Sequence, residues 1–177
     1  LGMKKDFLTE AIDFVENFDQ KNIDVIFLTV IGRSGSALIH SLLDNHEEIL
    51  LLPIIIQIYE DWENLKKYSM DIEYFTKKFI YESSLRENRF IENVSDSKKD
   101  QINLKQNLLF SNLLIVLKSI TINRKNLLLA LHFVYAYTFD IDIKNVKALI
   151  VHHHYIRYKT YYEIINSNIE DYLKIFF

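Results

Sequence analysis

The chain has 177 residues, of which 49% are hydrophobic and 25% are charged, and its formal net charge is -3 at pH 7. These values indicate one globular domain and argue against a general nucleic-acid binder, which would need a basic surface. The chain has no cysteine, no apolar run of membrane-spanning length and no signal-peptide pattern, so disulfides, thiolate metal sites and a membrane span are excluded and a cytoplasmic location is expected.

The first third of the chain predicts a helix, a strand and a second helix. Apolar residues at helical spacing predict a helix over residues 4–18. The unbroken apolar run 25–30 predicts a strand that is buried on both faces, and residues 37–43 predict the helix after it. Residues 49–56 are apolar around Pro53, so they form either a short buried strand or a packed connection.

Residues 57–140 have a helical period and form a predicted helical insertion. Four apolar stripes at helical spacing are most simply core faces: Tyr59, Trp62 and Leu65; Ile72, Phe75, Phe79 and Ile80; Leu109, Leu113, Val116 and Ile120; and Leu127, Ala130, Phe133 and Tyr137. The polar stretch 93–100 predicts a loop between the second stripe and the third.

Strand character returns in the last part of the chain, at 146–151 and again at 171–177, with a helix predicted at 157–165 between them. The alternation predicts a single α/β domain over residues 1–177, with a parallel sheet and the helical insertion within it. Sheets of this kind bind ligands at the carboxyl ends of their strands.

Two of the three glycines, Gly32 and Gly35, stand in the turn between the predicted strand and the helix at 37–43. Glycine is required where φ is positive or where a ligand approaches the backbone closely. Because the free N–H groups and the dipole of a helix N-terminus attract anions, this turn predicts a phosphate or sulfate site.

The side chains of the turn distinguish it from a standard P-loop. A P-loop has Lys and then Ser or Thr after its last glycine, whereas Ser36 and Ala37 follow here, so magnesium nucleoside-triphosphate chemistry is not expected. The guanidinium of Arg33 and the hydroxyl of Ser34 still suit a phosphate or a sulfate. The alternative is an ordinary tight turn with a solvated arginine.

Residues 29–38, together with the Leu-Leu-Asp-Asn-His tail at 42–46 and Ile49, resemble the 5′-phosphosulfate-binding segment of sulfotransferases. The family pattern is a strand, then Arg- or Lys-Ser-Gly-Thr-Thr, then a helix that ends Leu-Leu-Asp-x-His-Pro. The similarity covers about 25 residues, and the rest of the chain matches only in the order of its elements. Ala37 stands where the family usually has a hydroxyl residue, and Glu47 stands where it has proline.

The resemblance implies a P-loop-like fold and transfer of a sulfuryl group from 3′-phosphoadenosine 5′-phosphosulfate, without a metal. The acceptor would be a hydroxyl or an amine of a small molecule, a carbohydrate or a peptide. Arg33 would hold the 5′-phosphate and the sulfuryl oxygens, and the rest of the donor-binding set would be Gly32, Ser34, Gly35, Ser36 and Ala37. The family's 3′-phosphate signature, Arg-x-Pro followed by a serine, does not occur; we expect that site beyond Phe177 if the protein has it.

The triple histidine 152–154 follows the predicted strand 146–151, where ligand-facing groups are expected. One of the three could be the base that deprotonates the acceptor, since the pKa of histidine lies near neutrality. We assign His153, preferred, and His154 to the catalytic set with Arg33. The alternative is a group of partly buried loop or interface residues. A metal site is disfavoured because neighbours in a strand point to opposite faces.

Other polar residues have simpler interpretations. His40 is expected to be packed or capped, and His46 to be structural at the helix exit. Glu60 and Asp61 are alternative bases or part of a solvated helix face. Lys98 and Lys99 are expected in a solvated loop that could also guide an anionic acceptor.

Two other classes of function stay open. One is a different phosphate-binding transferase that uses the same strand–turn–helix, and the other is a non-catalytic or degenerate anion-binding module.

Overall fold

The computed structural model contains both helices and strands and describes residues 5–29, 36–44, 46–52, 62, 65–80, 96–153 and 173–176. The helices are α1 (Lys5–Glu16), α2 (Ser36–Leu43), α3 (Ile72–Lys78), α4 (Asp96–Leu117) and α5 (Arg124–Thr138), and short 3₁₀ segments occupy Phe18–Gln20 and Lys66–Tyr68. The strands are β1 (Asp24–Thr29), β2 (Ile49–Leu51), β3 (Ala148–His153) and β4 (Leu173–Phe176). No described helix is both long and apolar enough to cross a membrane.

The four described strands form one sheet in the order β2-β3-β1-β4, and every pair of neighbours is parallel. The predicted α/β class and parallel sheet are therefore confirmed. The segment 49–56 contributes a short strand, β2, at one edge of the described sheet, and residues 53–56 lie outside the described part. The predicted helix at 157–165 also lies outside it.

Both faces of the sheet are covered, as the apolar character of β1 predicts. One face carries Leu28, Leu51 and Ile150, and Leu43 of α2 packs against them. The alternate residues of the strands belong to the main core cluster, together with residues from α1, α3, α4 and α5; they are Phe27, Leu50, Leu149 and Val151. Side chains alternate between the two faces because successive residues of a strand point in opposite directions.

Helix α5 is the most deeply buried helix of the described part. Every residue from Leu127 to Ala136 is buried, although the predicted stripe covered only one face of the helix. The prediction that Tyr137 is a core residue is wrong, since 38% of it is exposed. Its ring still contacts Phe7 of α1 with a centroid distance of 4.2 Å, so it lies at the rim of the core.

Two predicted boundaries are corrected. The stretch 93–100 was predicted as a loop, but α4 begins at Asp96, because a polar segment without glycine or proline is compatible with a helix. The third strand was predicted at 146–151, whereas β3 runs from Ala148 to His153, because all six of its residues pair with β1. The first two histidines therefore belong to the strand and do not follow it.

Candidate functional site at the carboxyl edge of the sheet

Strands β1 and β3 end side by side. Leu28 pairs with His152 in the strand register, and Thr29 pairs with His153. The connection from β1 to β2 leads past β3, and the connection from β3 to β4 leads back past β1. Adjacent strands whose connections leave in opposite directions define a topological switch point, where open α/β sheets bind their ligands. We call this end of the sheet the carboxyl edge.

The structure locates part of the predicted donor-binding set. Ser36 and Ala37 are the first two residues of α2, and six residues, 30–35, separate them from the end of β1. Gly32, Arg33, Ser34 and Gly35 lie outside the described residues. A strand and a helix therefore flank this segment as predicted, and the turn between them lies outside the described residues.

One of the two predicted bases lies at the end of β3. His153 is the last residue of that strand, and His154 lies outside the described residues. The backbone pairing brings His153 next to Thr29, the last residue of β1 before the glycine-bearing segment. The alternative carboxylates, Glu60 and Asp61, also lie outside the described part of the chain.

A buried histidine pair is the best-defined polar contact at this edge. Nδ1 of His40, on α2, lies 2.9 Å from Nδ1 of His152, on β3, and the ring centroids are 5.1 Å apart. His40 is 5% exposed and His152 is 1% exposed. One of the two Nδ1 atoms must donate and the other must accept, so the contact holds a single proton. The expectation of a packed His40 is confirmed, but its partner, 112 positions away, was not predicted.

A third buried histidine, His132 of α5, lies against β3 from the other face. Its Nδ1 is 2.8 Å from the carbonyl oxygen of Leu128, and its Nε2 is 3.3 Å from that of Ile150. Burial lowers the pKa of His132 and outweighs the two carbonyl contacts, which act in the opposite direction. The imidazole is therefore neutral near pH 7, and we assign its proton to Nδ1, which makes the shorter contact. A histidine inside an apolar helical run was the only signal for it in the sequence.

Three further polar residues from the sequence analysis lie in a turn or in a helix. Nδ1 of His46 accepts a hydrogen bond from the backbone N–H of Glu48 at 3.2 Å, in the turn that leads to β2, as expected for a structural histidine. Lys98 and Lys99 lie in the first turns of α4 and not in the predicted loop.

Within the described ranges, no group of three histidine, aspartate or glutamate side chains is arranged to hold a metal ion.

Comparison with known proteins adds no relative to these observations: no protein-family model, no curated protein and no solved structure matches the chain.

Proposed function

We propose that this chain carries the donor-binding half of a sulfotransferase-type site and that its reaction is sulfuryl transfer from 3′-phosphoadenosine 5′-phosphosulfate to a hydroxyl or an amine. The observation that carries the proposal is the parallel pairing of β1 with β3, which aligns Thr29 with His153. The strand before the anion-binding segment and the strand with the histidines therefore end together at a switch point.

The donor would lie across the segment between β1 and α2. In this proposal Arg33 pairs with the 5′-phosphate and the sulfuryl oxygens through its planar fork of N–H donors. Backbone N–H groups of the loop and of the first turn of α2 stabilise the same negative charge, with the helix dipole in support. The residue set is the one that the sequence motif defines, from Gly32 to Ala37.

The chemical step would be an in-line displacement at sulfur. A lone pair on the acceptor oxygen or nitrogen forms the new bond to sulfur, and the bond from sulfur to the bridging phosphate oxygen breaks. The electron pair of that bond leaves with adenosine 3′,5′-bisphosphate, and the acceptor proton passes to a histidine base. Positioning and charge stabilisation would supply most of the rate enhancement, as in phosphoryl transfer.

The buried contact between His40 and His152 reduces the number of histidines in 152–154 that suit the role of base. His152 is enclosed and its Nδ1 is held against His40, so a structural role suits it better than proton transfer to a bound acceptor. His153 and His154 remain as the proposed bases. Both follow His152 in the sequence, and His153 is the last residue of β3, which pairs with β1.

Nucleotide selectivity tests the proposal. We expect adenosine 3′,5′-bisphosphate to raise the melting temperature of the protein and magnesium ATP to leave it unchanged, because a ligand that binds only the folded state stabilises it. Arg33→Ala should abolish the increase. Arg124→Ala, at the first residue of α5, is the matched control for the loss of one positive charge and should keep the increase, measured from its own baseline.

Two results would overturn the proposal. Stabilisation by magnesium ATP alone would identify a different phosphate-binding transferase. If neither nucleotide stabilised the protein, the degenerate binding module would be favoured.

A further inference from the structure

Residues 66–78 form a hydrogen-bonded turn and a short helix at the surface of the protein. A 3₁₀ segment leads into the turn, and the turn leads into α3. The backbone N–H of Ser69 donates to the carbonyl oxygen of Lys66 at 3.1 Å, and that of Asp71 donates to Tyr68 at 2.9 Å. The Asp71 side chain caps α3 by accepting a hydrogen bond from a backbone N–H at 2.9 Å. Because these bonds define the shape of the segment, a partner does not have to order it on binding.

One face of α3 is anchored in the core. Phe75 and Thr76 are buried, and the ring of Phe79, directly after the helix, stacks with that of Phe75 at a centroid distance of 6.5 Å. Since a helix turns by about 100° per residue, Tyr74 and Lys77 lie on the opposite side, and both are exposed. The outward face of the segment is therefore held in a fixed orientation.

The turn before α3 presents an apolar side chain to solvent. Met70 is 97% exposed, the highest value among the exposed large hydrophobic residues of the described part. The ring of the exposed Tyr74 meets that of the half-buried Tyr68 edge-on, with a centroid distance of 4.9 Å. Moving the methionine into an apolar phase is favourable, and tyrosine rings suit a boundary that is apolar on one side and wet on the other.

Lysines flank the two tyrosine rings. Two lysines precede the turn and two end α3: Lys66, Lys67, Lys77 and Lys78. Nζ of Lys67 lies 6.0 Å from the ring centroid of Tyr68. Nζ of Lys78 lies 5.4 Å from the ring centroid of Tyr74. Positive charge and aromatic surface therefore lie side by side in this segment.

The segment is positive although the chain as a whole is acidic. Residues 66–78 contain four lysines and two carboxylates, Asp71 and Glu73, an excess of two positive charges in a chain of net charge -3. No ion pair among the described residues includes Lys67 or Lys77. Charge complementarity therefore favours an anionic partner for this surface.

From these observations we propose that residues 66–78 dock the protein on an anionic membrane surface. Met70 enters the boundary of the acyl chains, the tyrosine rings lie at the level of the headgroups, and the lysines pair with lipid phosphates and carboxylates. The exposed methionine favours a lipid surface over a nucleic acid, whose phosphate backbone offers it no apolar phase. None of these residues belongs to the proposed donor or base set, so docking does not depend on the proposed sulfuryl transfer.

Co-sedimentation of the full chain with vesicles measures the docking. We expect binding to phosphatidylcholine vesicles that contain about 30% phosphatidylserine, and at least about tenfold weaker binding to vesicles of phosphatidylcholine alone. Raising the salt concentration from about 0.1 M to about 1 M should release the protein, because the screening length falls from about 10 Å to about 3 Å.

Variants locate the binding surface. Lys67→Gln and Lys77→Gln should each weaken binding to the anionic vesicles about fivefold. Met70→Ser should weaken it several-fold, because serine gains nothing from the acyl region. Lys144→Gln removes one positive charge at an exposed position before β3 and should leave binding unchanged. Far-UV circular dichroism shows whether each variant is folded.

The absence of cysteine allows a label at one chosen position. A nitrobenzoxadiazole label on Met70→Cys should become brighter and shift its emission to the blue when anionic vesicles are added, because the label enters an apolar phase. The same label on Lys144→Cys should keep the emission that it has in water.

The inference is overturned if the protein does not bind anionic vesicles, if Lys144→Gln weakens binding as much as Lys77→Gln does, or if the label at position 70 stays in water. Binding of a single-stranded oligonucleotide that depends on Lys67 and Lys77 but not on Met70, without binding to vesicles, would identify a nucleic-acid surface instead.

Discussion

His40 and His152 come from distant parts of the chain and meet inside the protein through one hydrogen bond. Two neutral imidazoles of opposite tautomer satisfy this contact, as does a pair that shares one positive charge. A pair with two charges cannot, because both Nδ1 atoms would then carry a proton. This hydrogen bond therefore links α2 to β3 at the carboxyl edge, and it forms only when both histidines are present.

Replacing both histidines of the pair should cost less than the sum of the two single replacements. His40→Leu or His152→Leu leaves the Nδ1 atom of the other ring buried without this partner, and we expect each to lower the free energy of unfolding by about 1–3 kcal/mol. The double variant should lose at least about 1 kcal/mol less than the sum of the two. Urea unfolding of the four proteins measures this coupling. If the two losses are additive, the hydrogen bond between the two histidines contributes no coupling energy.

His132 should make stability depend on pH. Its pKa is lowered in the folded protein by burial, from an ordinary value of 6.5. Below about pH 6.5 the unfolded chain therefore binds a proton at this residue that the folded chain does not. The contribution of His132 to the free energy of unfolding is complete above that pH. It falls by up to about 1.4 kcal/mol per pH unit as the pH decreases toward the folded pKa.

The comparison with His132→Leu isolates this effect. Titrating groups that the two proteins share cancel in the difference between their free energies of unfolding, measured in urea between pH 7.5 and 5. The wild type should lose stability relative to the variant as the pH falls. Parallel pH profiles would mean that His132 takes up its proton equally in both states.

At the scale of the elements, α5 begins at a cap that helps to define its first turn. The side-chain oxygen of Asn123 accepts a hydrogen bond from the backbone N–H of Asn126 at 2.8 Å, which satisfies one of the free donors at the helix N-terminus. Asn123→Ala should lower the free energy of unfolding by about 1 kcal/mol, whereas Asn123→Asp should retain most of it because aspartate caps equally well. Thermal unfolding measures both. A loss of the same size in Asn123→Asp would assign the effect to something other than the cap.

Elements with a strong local signal were predicted well. The apolar run of β1 and the glycines after it define the end of a strand and the start of a helix, and both lie within one residue of their predicted positions. The end of β3 was predicted too early because His152 and His153 have no apolar character. Their strand conformation comes from pairing with Leu28 and Thr29, so the tertiary context decided what the local pattern could not.

At the scale of the whole molecule, the candidate site was predictable only in part. The sequence indicated the loop segment and the histidines, and the α/β pattern placed both at the carboxyl ends of strands. The contact between His40 and His152 joins positions far apart in the chain. Such contacts depend on strand order and helix packing, which no local period of the sequence encodes.

One continuous core joins the sheet to the helices of the predicted insertion. The main cluster includes Phe27 of β1, Phe75 of α3 and Leu113 of α4. Trp62, the only tryptophan of the chain, packs edge-on against Phe75 with a centroid distance of 6.5 Å. Its fluorescence therefore reports on the helical part, while far-UV circular dichroism reports on the whole backbone.

A shared core should unfold as one unit. We expect the two signals to give coincident urea transitions, which is the test for two-state unfolding. Leu113→Ala, at a position with no exposure, should shift both transitions together and cost about 2–5 kcal/mol through the cavity that it leaves. Leu108→Ala on the same helix is the control, since Leu108 is 50% exposed and should cost well under half as much. Separate transitions would mean that the helices of residues 57–140 fold independently of the sheet, against the prediction of a single domain.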